Sequence, residues 1–164
     1  MTKSVAQLVQ TLEKESEIYR EVLDISAKKR EAIRAQRVEE IEKLTNYEQG
    51  LVVTLFKLEE LRGKVVDVIM NEFDIDSVEN VTELTQYMSA DERASVMDAK
   101  NKLLVLVKNA VDENKFTSRL LEEKLNLISV NIELLTQVSD DSGTYDKGAN
   151  NDAYERKNIF DARV

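Results

Sequence analysis

Apolar residues recur at intervals of three, four and seven along two long stretches of the chain. Leu8, Leu12, Tyr19 and Val22 open the first stretch, and Val38, Ile41, Leu44, Leu51, Leu55, Leu58, Val65, Ile69 and Phe73 continue it. Such spacing places one apolar stripe on a helix and predicts a helical region over about 4–73 with heptad-like seams. Between the two sets, residues 26–37 are nearly all charged or small, with Ile33 as the main interruption. This quiet stretch marks either a bend or the place where a partner helix has ended. Gly50 and Gly63 fall inside the second seam, where they mark a close helix approach or play no role.

The stretch "NEFDIDSVENVTELTQYMSADE" interrupts the pattern. Asp74 or Asp76 is the expected cap of a short helix over about 77–88, carried by Val78, Val81, Leu84 and Met88. Ser89 and Glu92 then form Ser-x-x-Glu, the signature of a capping box. A long apolar-periodic run follows through Leu103, Val107, Phe116, Leu121, Leu125, Ile128, Ile132, Leu135 and Val138. It predicts a helix over about 91–138, roughly 70 Å long at 1.5 Å per residue. The first region, folded back across the break, is its expected antiparallel partner. The predicted fold is all-α, a long antiparallel helical hairpin or bundle with coiled-coil character. At "SDDSG" the pattern stops, because these residues favour caps and turns. Residues 1–142 are thus expected to form the helical bundle and 143–164 a flexible tail.

Composition supports this reading. The chain has no proline, where about eight would be average for its length, and only four glycines. Both residues interrupt helices, so very long helices are permitted. Aromatics make up 5%, which leaves Leu, Val and Ile to build the core. The net charge is −9, so nucleic acid and anionic lipid are disfavoured as partners. Without cysteine or histidine, disulfides and thiolate or imidazole metal sites are excluded. The N-terminus lacks the apolar core of a signal peptide, and no apolar run approaches ~18 residues. A cytoplasmic protein without membrane insertion is expected.

The sequence carries little that resembles catalysis. Its 32 acidic residues are interleaved with Lys and Arg, as in "LEKESEIYREV", which reads as a solvated helix face. "DIDSVEN" lacks the central glycine of a calcium loop. No phosphate-binding loop is present, and neither an enzyme nor a cofactor is expected. The apolar residues of the tail, Tyr145, Tyr154, Ile159 and Phe160, have no evident core beside them. Disordered ends are usually poor in such residues, so the tail is expected to order on a partner.

Three stretches carry a resemblance to the FlgN-type flagellar export chaperones. Ala32, Val38, Ile41, Leu44, Glu48, Leu51, Leu55, Leu58 and Arg62, ending in "LEELR", are similar to that family's long first helix. "ENKFTSRLLEEKLNLISVNIELL" at 113–135 resembles its later helix. The tail shares a Tyr-x-x-Gly turn, Tyr145 to Gly148, and a closing "RKNIFDARV". The resemblance implies a cytosolic chaperone of the flagellar type III export route, without ATP-driven chemistry. Its partners would be the flagellar hook-associated (hook–filament junction) proteins, held by an exposed helical end, and the export gate. The implied client-binding residues are Leu121, Leu125, Ile128, Ile132, Leu135 and Val138 on the last helix, with Tyr154, Ile159, Phe160 and Val164 on the tail. Tyr145 is the implied gate contact. Leu125, lying in the helical seam, is expected to support the fold as well. A structural coiled-coil scaffold without a client is the alternative, and an enzyme with an unusual carboxylate site is a third class. Pairing of two copies is left open.

Overall fold

The computed structural model describes the backbone of residues 1–136 and the side chains of residues 1–126. Among the described residues four helices form: α1 (Lys3–Arg34), α2 (Val38–Glu72), the single turn α3 (Val81–Leu84) and α4 (Ala90–Thr136). A 3-10 turn, Thr85–Tyr87, follows α3. No strand occurs among the described residues, and the all-α expectation holds. The tail residues 143–164, with Tyr145, Tyr154, Ile159, Phe160 and Val164, lie outside the described residues, as does Val138.

The region expected over 4–73 is two helices. As between a bend and a break in the quiet stretch, the structure has the break: residues 26–34 belong to α1, and the chain reverses over 35–37. Gln36 adopts a positive φ of 57°. Its N–H donates to Ile33 O (3.1 Å), and the Arg37 N–H donates to Ala32 O (2.9 Å). This pair of bonds closes a helix end in the Schellman manner, usually with glycine at the left-handed position. Asp74 repeats the device at the end of α2, with φ 56° and Ile75 N–H on Met70 O at 2.9 Å. Asp74 therefore ends α2 and does not cap α3. That cap is Asn80, whose side chain accepts from Glu83 N–H at 2.9 Å. Gly50 and Gly63 face open space, so no close helix approach depends on them.

Helix α1 is the central element, packed on one side by α2 and on the other by α4. The α1–α2 hairpin is antiparallel, with Glu15 opposite Arg62 and Lys29 opposite Glu48. Against α4, α1 runs parallel. Thr2 N–H donates to Glu92 Oε1 at 2.7 Å, and Arg30 reaches Glu113 at 3.2 Å. The long partner of α4 is thus α1, which is the shorter of the two, with 32 residues against 47, while the start of α4 also meets the 3-10 turn, Arg93 Nε donating to Thr85 O at 3.0 Å.

Each seam buries most of its predicted stripe, but Val38, Phe116, Leu121 and Leu125 are exposed. Leu8 and Leu12 of α1, Ile69 of α2, Leu84 of α3 and Val96 and Leu103 of α4 share one core and are fully buried. The expected capping box is present. Ser89 N–H donates to Glu92 Oε2 (3.2 Å), and Glu92 N–H donates to Ser89 Oγ (3.4 Å). Glu92 also receives Thr2 N–H, so one carboxylate closes α4 and ties down the start of α1. These donors, Thr2 first, hold the Glu92 carboxyl below its ordinary range.

Candidate functional site

Helix α4 outruns the helix it packs against. Its buried stripe toward α1 runs through Val96, Leu103, Val107, Ala110 and Thr117. Arg30, one turn before the end of α1, meets Glu113 and lies 5.6 Å from the centre of the Phe116 ring. Four residues later α1 stops at Arg34. Past Thr117, α4 continues for about 19 more residues, roughly 29 Å, with no α1 beside it.

The apolar stripe does not stop with α1. Spacings of three and four carry it from Thr117 to Leu121 and Leu125, and then to positions 128, 132 and 135. Leu121 is 37% exposed and Leu125 58% exposed. Two of the predicted client-binding residues therefore stand in solvent on the face that is core one turn earlier. Ile128, Ile132 and Leu135 lie on α4 at the same register, beyond the described side chains. The expectation that Leu125 also supports the fold is overturned, because too little of it is covered.

At the same end, α2 leaves a matching residue uncovered. Val38, its first residue, is 74% exposed. The hairpin register that sets Glu15 against Arg62 would place Val38 opposite residue 39 of a longer α1. Thr117, at the last turn of the covered seam, is buried, and its Oγ1 has no hydrogen-bond partner.

A buried charge cluster lies elsewhere, between α1 and α2. Arg62 Nη1 sits 2.7 Å from Glu15 Oε2, with the two side chains only 8% and 4% exposed. Glu59 approaches Arg62 at 3.6 Å. Burial pushes the Glu15 carboxyl up to about 7 against the opposing pull of Arg62, and burial also pushes the Tyr19 hydroxyl up to about 12. Reading "LEKESEIYREV" as wholly solvated missed Glu15. Its only sequence signal is a place on the stripe, three residues past Leu12 and four before Tyr19. The cluster is not arranged for acid–base chemistry, since the Glu15 oxygen that would react is held by Arg62 inside the helix interface. Among the described residues, no group of acidic side chains is placed to hold a metal ion, and no helix is long and apolar enough to cross a membrane.

Among the described residues, these features define an all-helical protein whose last helix carries an apolar face, at Leu121 and Leu125, that no other described element covers. A protein-family profile described as "FlgN protein" matches residues 1–153. The chain belongs to the FlgN family, and membership brings the general role of a flagellar export chaperone. No match was found among curated proteins or among solved structures.

Proposed function

We propose that this chain binds the exposed helical end of flagellar hook-associated (hook–filament junction) proteins in the cytoplasm. It prevents their premature assembly and delivers them to the type III export gate. The observation that carries this reading is the α4 stripe, which is buried as far as Thr117 and uncovered at Leu121 and Leu125. An apolar helix face flanked by charge is what an amphipathic helix recognises, by anchors at i, i+3, i+4 and i+7. In this reading Leu121, Leu125, Ile128, Ile132, Leu135 and Val138 form one jaw. Tyr154, Ile159, Phe160 and Val164 close over the client from the tail, and Tyr145 meets the gate. Neither catalysis nor a cofactor is required.

The test is binding of a purified junction protein to the full chain, to the Leu121→Glu/Leu125→Glu variant, and to the chain lacking 140–164. Affinity that falls in both altered forms, with helix content kept, supports the reading. Undiminished dimerisation together with no affinity for any junction protein would favour the scaffold alternative.

A further inference from the structure

We propose that the end of the α1–α2 hairpin and the free face of α4 together seat one amphipathic helix of a partner protein, laid end to end with α1. The proposal rests on the reading of the chain as a binder of helical ends, and adds where and how that helix lies. It follows from continuity with an interface already formed.

Along α4, one stripe serves both α1 and the uncovered segment. The α1 axis, prolonged past Arg34, therefore runs along Leu121 and Leu125. On the other side of that axis stands Val38, the first residue of α2, exposed and one turn before the half-buried Ile41. In the parallel register of Arg30 with Glu113, Leu121 lies level with Val38 and Leu125 one turn beyond. Two helices thus present exposed apolar residues at the prolonged end of α1, a position that no described residue fills.

The seat also has a floor. Gln36 and Arg37 N–H groups already close the α1 carbonyls, so α1 itself is finished and does not call for another turn. The length of the seat sets the occupant: a helix of about five turns, near 19 residues, matches the free run of α4. Its stripe must be Leu- or Ile-like at heptad spacing, with its opposite face polar.

The absence of cysteine in the chain allows single cysteines to be placed at will. A benzophenone is attached at Val38→Cys, at Lys124→Cys beside the stripe, and at two controls. The controls are Val68→Cys on the outer face of α2 and Val105→Cys on α4, both exposed. The full chain is irradiated with a synthetic 20-residue amphipathic peptide carrying leucines at heptad spacing, and separately with a purified junction protein. Adducts from positions 38 and 124 that map to the same terminal two turns of the peptide are expected. Yields at 68 and 105 should be at least tenfold lower, and Leu125→Glu should cut the yield at 124 about tenfold while helix content is unchanged. Equal yields at the controls, or adducts at 124 without 38, overturn the end-to-end seat. Adducts joining two copies of the chain, or joining position 124 to residues 143–164 in preference to the peptide, overturn it in favour of those occupants. A junction protein that binds but gives no adduct at 38 or 124 removes the seat and leaves the chaperone reading standing. A peptide seated as expected beside a junction protein that does not bind does the reverse.

Discussion

Arg62 and Glu15 meet at 2.7 Å in the interior of the α1–α2 hairpin, and the carboxylate is held against its own desolvation. Because burial is the largest influence on Glu15, its folded-state pKa is raised from 4.5 to about 7. A carboxyl raised in this way favours the folded state while protonated. Its contribution is full below pH ~4.5 and is lost as pH rises through ~7, a span of roughly 3 kcal/mol. Glu15→Gln is neutral throughout. The stability of the parent relative to this variant should therefore decline between pH 4.5 and 7 and then level off. Urea melts of both proteins at pH 4.5, 6 and 8 measure the difference; a constant gap would refute the assignment.

Arg62→Ala removes the cation and leaves Glu15 buried alone. Breaking a buried pair in this way costs about 3–5 kcal/mol. For a chain of this size that corresponds to a fall in Tm on the order of 10 °C. The fall should be larger at pH 8 than at pH 5, where Glu15 can take up a proton. Thermal unfolding followed by circular dichroism at the two pH values checks both the size and the sign.

Gln36 holds a left-handed backbone, φ 57°, that costs an L residue about 1–2 kcal/mol and a glycine little. Gln36→Gly should stabilise the hairpin by about 1 kcal/mol, raising Tm by roughly 2–4 °C. Gln36→Val should lower it. Scanning calorimetry of the three proteins ranks them.

Leu125→Ala should leave Tm within about one degree of the parent, since the side chain is 58% exposed. Client affinity should fall about tenfold, the effect of roughly 1.4 kcal/mol of lost burial. Leu103→Ala provides the contrast, because that residue is fully buried and its truncation should cost 2–5 kcal/mol of stability. Calorimetric titration with a junction protein, paired with melting curves, separates the two roles.

Replacing Ile159 and Phe160 together by alanine should weaken client binding on the order of 10²-fold, from two apolar anchors worth roughly 1.5–3 kcal/mol each. Melting temperature should hold. Tyr145→Ala should spare client binding and reduce export, measured as secreted junction protein. Parent-like affinity in the double variant would leave α4 as the whole grip.

The apolar spacing made the helical class readable before any coordinate, because stripes such as Leu8–Leu12 and Leu103–Val107 have only one efficient burial. The Ser89–Glu92 box was equally plain, since its chemistry is local. The reversal at Ala35–Arg37 was not. Its left-handed position is filled by Gln36, which carries no turn signature, and the carbonyls the reversal closes belong to Ala32 and Ile33, apolar residues that read as helix interior. Glu15 hid for a related reason: a carboxylate on a stripe looks solvated until Arg62, 47 residues away in sequence, is brought beside it. Leu121 and Leu125 belong to the same periodic run as the core. Periodicity says which face a residue occupies, and the length of α1 decides whether that face is covered.

The parallel pairing of α1 with α4 has a consequence for the order in which the protein matures on the ribosome. The α1–α2 hairpin can close as soon as residue 72 has emerged, since domains and their parts assemble from the N-terminus during synthesis. The other side of α1 must wait, because Thr2 finds Glu92 and Arg30 finds Glu113 only across 90 and 83 residues. The nascent hairpin therefore carries an open apolar side for as long as α4 is being made. When α4 arrives it covers that side progressively, from Val96 toward Thr117. The segment bearing Leu121 and Leu125 leaves the ribosome only after most of its own helix has a place to dock, so its exposed face is displayed later than the faces that become core.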